Sequence, residues 1–211
     1  MPKRWRDYLG PFVATLIVVA LIATRAEIWP WQTDPDADPN RTVYVHVFNT
    51  AGELVGPVES PVLVLSDRQW QRRLTAEQFQ VLRSKGTERA FCGRFHDNKL
   101  DGVYACAGCA LPLFSSDAKF DSGTGWPSFL KPIAPDNIEE HMDIGIGMAR
   151  TEVLCARCAG HLGHVFDDGP APTGQRYCLN SAALNFTASD QLATLADPLA
   201  ELSDAPPAAS D

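Results

Sequence analysis

The stretch GVYACAGCALPLF, residues 102–114, decides the fold when set beside its counterpart TEVLCARCAGHLGHVF, residues 151–166. In each, a short strand-like run (Val103–Ala105, Glu152–Leu154) leads into a Cys-x-x-Cys pair and then into small residues. The pairs are Cys106 with Cys109 and Cys155 with Cys158, with 45 residues between them. Two such knuckles can meet around one tetrahedral ion, and four thiolates are the ligand set zinc takes in closed sites. No position is left open for a substrate, so one structural Zn2+ per chain is expected. Such a site contributes apparent folding free energy of about 10–16 kcal/mol. Two redox-active motifs would want a thioredoxin-like βαβ context, which is absent. A plain disulfide framework is the other alternative.

Outward from the knuckles, Cys92 to Phe186 carries evenly spread glycines and short apolar runs with no long 3.6-residue period. That pattern predicts a mainly β domain. Before it, Ser66 can cap one short helix, and Thr75 with Gln78 has the form of a capping box for a second. Trp70, Phe79 and Leu82 read as packing residues and Gly86 as the helical stop, so the domain is placed at residues 66–186. Upstream, TVYVHVF (42–48) alternates as a strand does, Asn49–Gly52 signals a turn, and PVLVL (61–65) is a second apolar run. Residues 41–65 therefore read as a hairpin-like extension, with His46 a strand residue and not a ligand. Residues 32–40, QTDPDADPN, are a linker. The tail, 187–211, holds five acidic residues and no Lys or Arg. Leu192, Leu195, Leu199 and Leu202 have helical spacing, and the Ala/Pro-rich end is expected to be disordered.

The formal net charge of −8 excludes a basic nucleic-acid-binding stripe. At the N-terminus, Lys3, Arg4 and Arg6 precede an uncharged run from Tyr8 to Thr24. Seventeen helical residues span roughly 25 Å, slightly under a hydrocarbon core of roughly 30 Å. Residues 1–31 fit a signal anchor with Trp29 and Trp31 at the headgroups, or a signal peptide cut near Ala26. Either way the rest is expected on the extracytoplasmic side.

Four metal ligands leave Cys92 and Cys178 of the six cysteines. In RYCLN (176–180), residues two apart share a strand face, so Arg176, Cys178 and Asn180 should project together. A cation beside the thiol favours thiolate, and an amide can donate to a developing oxygen charge. The alternative is a buried, inert cysteine. His161 and His164, just beyond Cys158, are free for other work once four cysteines hold the metal, although His161 reads equally well as a structural histidine.

Together GVYACAGCALPLFSSDAKFDSGTGWPSF, RTEVLCARCAGHLGHVFDDGP and TGQRYCLNSAALNF resemble the methionine-R-sulfoxide reductases of the B type, over residues 66–186. The resemblance implies two antiparallel sheets with a structural zinc away from the active site. It implies Cys178 as nucleophile and Trp126 as the wall for the substrate methyl group. His161, His164, Asp168, Arg176 and Asn180 fall on polar positions around the sulfoxide, with His164 the candidate acid. Its implied partners are oxidised proteins and, for an exported monomer, an extracytoplasmic thioredoxin-like reductant. In two places the chain departs from the pattern. Many members carry a resolving cysteine where this chain has Thr124, which leaves Cys92 as an alternative resolving thiol or a bystander. Ala110 and Ala159 stand where glycine usually follows each knuckle, at a cost of about 1–2 kcal/mol each if the backbone there is left-handed. Gly160 could relieve the second by a one-residue shift. Competing readings are a thiol–disulfide oxidoreductase using Cys92 and Cys178, and a zinc ribbon-like binding module.

Overall fold

Alternating valines make the first element. β1 (Thr42–Phe48) turns into β2 (Leu54–Pro61), with Val45 opposite Val58 and Val47 opposite Val55. Val45, Val47 and Val58 are buried. The computed structural model describes residues 40–145 and 148–203. The expected membrane segment, almost all of the linker and the end of the tail lie outside the described residues. Among the described residues no helix is long and apolar enough to cross a membrane.

Two short helices follow, α1 (Asp67–Arg73) and α2 (Ala76–Leu82), and both start at capping boxes. The Thr75 hydroxyl accepts from the Gln78 N–H at 3.2 Å, and Gln78 Oε1 accepts from the Thr75 N–H at 3.0 Å. Ser66 donates its N–H to Gln69 Oε1 at 2.8 Å. Two-turn helices are marginal alone, so tertiary burial of Trp70, Val81 and Leu82 holds them.

The remaining strands are β3 (Gly102–Cys106), β4 (Pro112–Ser115), β5 (Lys119–Phe120), β6 (Ser128–Phe129), β7 (Ile138–Gly145), β8 (Met148–Cys155), β9 (His161–Phe166), β10 (Arg176–Leu179) and β11 (Leu184–Ala188). They form a six-stranded sheet, β5-β6-β10-β9-β8-β7, and a three-stranded sheet, β11-β3-β4. Every pairing is antiparallel. The domain after Ser66 thus holds two antiparallel sheets, as the resemblance implied, and the β1–β2 hairpin before it is a third, two-stranded sheet among the described residues. Aromatic rings fill the space between the two larger sheets. Phe129 lies 5.0 Å from Tyr104 and 4.8 Å from Phe114, and Phe114 lies 5.6 Å from Tyr177. Ring pairs of this kind add about 0.5–1.5 kcal/mol beyond area burial.

The hairpin is bound into this body by one amide. Asn137 is fully buried; its Nδ2 donates to the carbonyls of His46 at 2.8 Å and Pro112 at 2.6 Å, and its Oδ1 accepts from the His46 N–H at 2.7 Å. The Leu63 N–H also reaches the Arg157 carbonyl of the second knuckle at 2.7 Å. The tail packs on the same side. Asp197 pairs with Arg157 at 2.8 Å and its N–H donates to Phe48. The leucine periodicity of the tail resolves into a 3-10 turn (Ser189–Leu195) and a short α3 (Ala200–Ser203), with Pro198 between them unable to continue a helix.

Asn137→Ala strands one buried donor and two carbonyls. It should lower unfolding free energy by about 3 kcal/mol, read by denaturant titration, with far-UV circular dichroism of the folded protein unchanged.

Candidate active site

The six-stranded sheet sets the site by register. Cys178 in β10 stands directly opposite Ser128 of β6 and His164 of β9, and His164 stands opposite Glu152 of β8. Directly opposed residues share a face, so these four side chains form one polar row. The next row, Phe129–Tyr177–Val165, turns to the aromatic core. Gly163 lets the two strands approach, since a Cβ there would run into the Cys178 carbonyl oxygen. The Cys178 side chain is half-buried and opens into a cavity of about 210 Å³ shared with Trp126, His164, Phe166 and Asn180.

Burial pushes the Cys178 thiol above its usual range, and this outweighs Arg176, Thr124 and Ser128, all of which pull it down. The expectation that the neighbouring cation leaves a standing thiolate is therefore reversed: at neutral pH the group is a thiol. Arg176, the largest of the downward pulls, is itself partly engaged elsewhere. Its guanidinium forks onto Asp168, Nε to Oδ1 at 2.8 Å and Nη2 to Oδ2 at 2.9 Å, and stacks 4.4 Å over the Phe166 ring. Asp168 so answers part of the charge that Arg176 also turns to the sulfur. Asp168, held below the usual carboxylate range by Arg176, stands behind the arginine and does not line the cavity.

The two histidines divide. His164 lines the cavity and its Nε2 meets Asp143 Oδ2 at 3.0 Å, the same oxygen that Arg150 Nη2 reaches at 2.9 Å. Burial pushes His164 below its ordinary value, partly offset by Asp143, so at neutral pH it is a neutral imidazole. His161 is buried instead, with Nδ1 2.7 Å from Glu152 Oε1, and Lys85 Nζ lies 2.8 Å from Glu152 Oε2. It supports His164 edge-on at 5.4 Å and is not among the residues lining the cavity.

Trp126 forms one wall, with its indole N–H on the Glu88 carbonyl at 3.1 Å. Glu88 is a hub that sequence reasoning missed. Its carboxylate accepts from the Ser181 and Ala182 N–H groups at 2.6 and 3.0 Å, and its own N–H donates to Asn180 Oδ1 at 3.1 Å. Asn180 also donates from Nδ2 to the Leu162 carbonyl at 3.1 Å, so it is held by backbone on two sides and is more buried than a strand-face residue. Also unforeseen were Thr87, Ser128, Asp143, Arg150 and Glu152. They are brought together by register across strands, for which a single sequence gives no signal. Thr124 reaches the Cys178 sulfur. Cys92 does not line this cavity. It is exposed beside a different one with Glu88, Arg94 and Ser181, although the N–H of adjacent Phe91 bonds Gly125 at 2.8 Å.

The four remaining cysteines are buried, with their sulfurs all within 4.8 Å of one another. Cys106 lies 3.6 Å from Cys158 and Cys109 lies 3.4 Å from Cys155. A disulfide needs about 2.05 Å, whereas a tetrahedral ion with metal–sulfur bonds near 2.3 Å sets sulfurs about 3.8 Å apart. The Gly108 N–H points at the Cys106 sulfur, at 3.4 Å. Bare thiols cannot share negative charge here. Cys106 is pushed well down by hydrogen bonds from the other three, while Cys109, bonded to Cys106, and Cys155, through burial, are pushed well up. A cation resolves that conflict, and the cluster fits a metal ion. Ala110 and Ala159 take φ of 63° and 53°. Both knuckles thus carry the left-handed alanine, and Gly160 does not relieve the second.

The SelR domain profile matches residues 74–188. The chain belongs to the B-type methionine sulfoxide reductases. It is 56% identical over 125 residues to a protein of Hahella chejuensis named peptide methionine sulfoxide reductase MsrB, covering 59% of this chain and 90% of that one. Proteins of the same name from Bradyrhizobium diazoefficiens and Methanosarcina barkeri are 57% identical over 124 residues and 56% over 126, covering 59% and 60% of this chain and 89% of each relative. The enzyme is an oxidoreductase of this family, and its β1–β2 hairpin and the turns after Ala188 lie outside the match.

Glu152 gives a stability prediction. Burial would raise its pKa, but hydrogen bonds from His161 and Lys85 win and bring it to about 2. A depressed carboxylate contributes stability that is complete above its unfolded pKa and is lost as pH falls toward the folded one. Glu152→Gln should therefore be less stable than the parent by on the order of 2–3 kcal/mol at pH 6, and the gap should narrow between pH 4.5 and 2.5 in denaturant titrations.

Proposed function

We propose that the enzyme reduces methionine-R-sulfoxide, mainly within proteins, to methionine. The observation that carries this reading is the opening of the Cys178 sulfur into a cavity between the Trp126 indole and the His164 imidazole. At about 210 Å³ it is smaller than ordinary small-molecule pockets of roughly 300–1,000 Å³, which suits one side chain presented by a polypeptide. Trp126 packs the methyl group and the oxygen lies toward His164, so one epimer is selected.

The resting pair, a thiol and a neutral imidazole, holds one mobile proton. His164 takes it from Cys178, the thiolate attacks the sulfoxide sulfur, and the imidazolium delivers the proton to the oxygen as the S–O bond breaks. The hydroxyl passes to the Cys178 sulfur as the bond between the two sulfurs breaks, so methionine leaves with two electrons gained and Cys178, having lost two, becomes a sulfenic acid. Asn180, on the cavity wall, can donate a second N–H to the developing oxygen charge. Cys92 is the resolving thiol: its sulfur attacks the sulfenic acid, water leaves, and a Cys92–Cys178 disulfide forms. Because Cys92 sits beside a separate cavity, the Glu88–Cys92 segment has to shift for this bond. Two thiols of an extracytoplasmic thioredoxin-like donor then restore the dithiol. The basic start and apolar run of residues 1–31 support an exported, membrane-tethered enzyme, which in this reading acts as a monomer. The metal at Cys106, Cys109, Cys155 and Cys158 is zinc in this reading, with a structural role.

Purified protein assayed with both epimers tests the reading. The R epimer should be reduced and the S epimer left, and Cys178→Ser should abolish reduction with zinc content unchanged. Cys92→Ser should spare the first turnover, block cycling with a thioredoxin-like donor, and remove a Cys92–Cys178 linkage seen by mass spectrometry. Reduction surviving Cys178→Ser would refute the nucleophile, and equal cycling would return Cys92 to a bystander.

A further inference from the structure

His164 is the group that moves the proton in the reading above, and what faces it is set out across four strands. From β7 comes Asp143, from β8 come Arg150 and Glu152, from its own β9 comes His161, and from β10 come Arg176 and Cys178. Glu152 is turned away, bonded to His161 and Lys85. Arg176 is turned to Asp168. Asp143 alone among the carboxylates touches His164, at 3.0 Å. Arg150 clamps the same oxygen at 2.9 Å, which fixes the carboxylate where the ring needs it.

We propose that Asp143, held by Arg150, is the positioning residue for the proton-moving imidazole. This rests on the proposed sulfoxide chemistry. A carboxylate accepting from Nε2–H fixes the neutral tautomer, so Nδ1 carries the lone pair. Nδ1 has no hydrogen-bond partner among the described residues. It accepts the Cys178 proton, the ring becomes an imidazolium paired with Asp143, and Nδ1–H gives that same proton to the sulfoxide oxygen. Asp143 is not itself protonated at any step. It stabilises the transient cation and keeps the ring from turning, as a carboxylate does behind a catalytic histidine generally, although Asp143 is only partly buried. The neighbouring Lys85–Glu152–His161 set has the same order of cation, carboxylate and imidazole but is sealed from the cavity, so it braces and does not exchange protons with substrate.

The test uses the full-length enzyme and Asp143→Asn. Losing the carboxylate should lower kcat roughly 10- to 100-fold with KM nearly unchanged, within the range general acid–base groups supply. The acid limb of the pH profile, where His164 becomes protonated and can no longer accept, should move down by about one pH unit, since an opposite charge nearby raises an imidazole pKa. The alkaline limb, set by Cys178, should stay. Asp143→Glu should restore part of the rate. In a Cys178→Ser background, NMR titration of the His164 ring should show the same downward shift with the His161 signal unmoved, independently of turnover. An unshifted His164 titration, or a lowered rate with the acid limb in place, overturns the inference while leaving sulfoxide reduction standing. A parent enzyme inactive on both epimers overturns the functional reading and this inference together.

Discussion

The site depends on one backbone constraint, the antiparallel register that sets Cys178 across from His164 on one side and Ser128 on the other. A slip of one residue would turn Cys178 into the aromatic core and bring Tyr177 to the cavity. Two features hold the register. Gly163 permits close approach at the Cys178 carbonyl, and the cysteine knuckles tie the strand ends. β8 ends at Cys155, β9 begins three residues after Cys158, and β3, which pairs with the strand following the Cys178 turn, ends at Cys106. Gathering four sulfurs therefore anchors both the strand that carries His164 and the sheet into which the chain runs after Cys178.

On that frame the electrostatics keep a proton in waiting. Burial raises the thiol and lowers the imidazole, so over a broad pH range the pair carries one proton between them. In the proposed reaction the thiolate forms as it attacks and is not stored, which would spare Cys178 from adventitious oxidation, since thiolate character governs that susceptibility. Arg176 and Asp143 then act on opposite ends of the transfer. Arg176 favours the sulfur anion, and Asp143 favours the imidazole cation.

How much of this the sequence carried follows from the range of each interaction. The knuckles, the helix starts at Ser66 and at the Thr75 capping box, and the β1 alternation are local patterns, and each appears as read. The Arg176–Cys178–Asn180 trio was legible as composition, but not the outcome: burial could not be seen, so the direction of the Cys178 shift was reversed. Asp143, Arg150, Glu152 and Glu88 reach the site only through strand pairing or through a loop crossing some ninety residues later. The hairpin looked like an appendage because Asn137, the side chain that binds it in, lies 91 residues beyond His46.

The most direct test of the account is chemical trapping at residue 178. Cys92→Ser enzyme, reacted with one equivalent of a peptide bearing methionine-R-sulfoxide and then with a sulfenic-acid-specific dione, should yield one adduct on Cys178 for each methionine formed. Methionine produced with Cys178 unmodified, or an adduct on one of the knuckle cysteines instead, would contradict it.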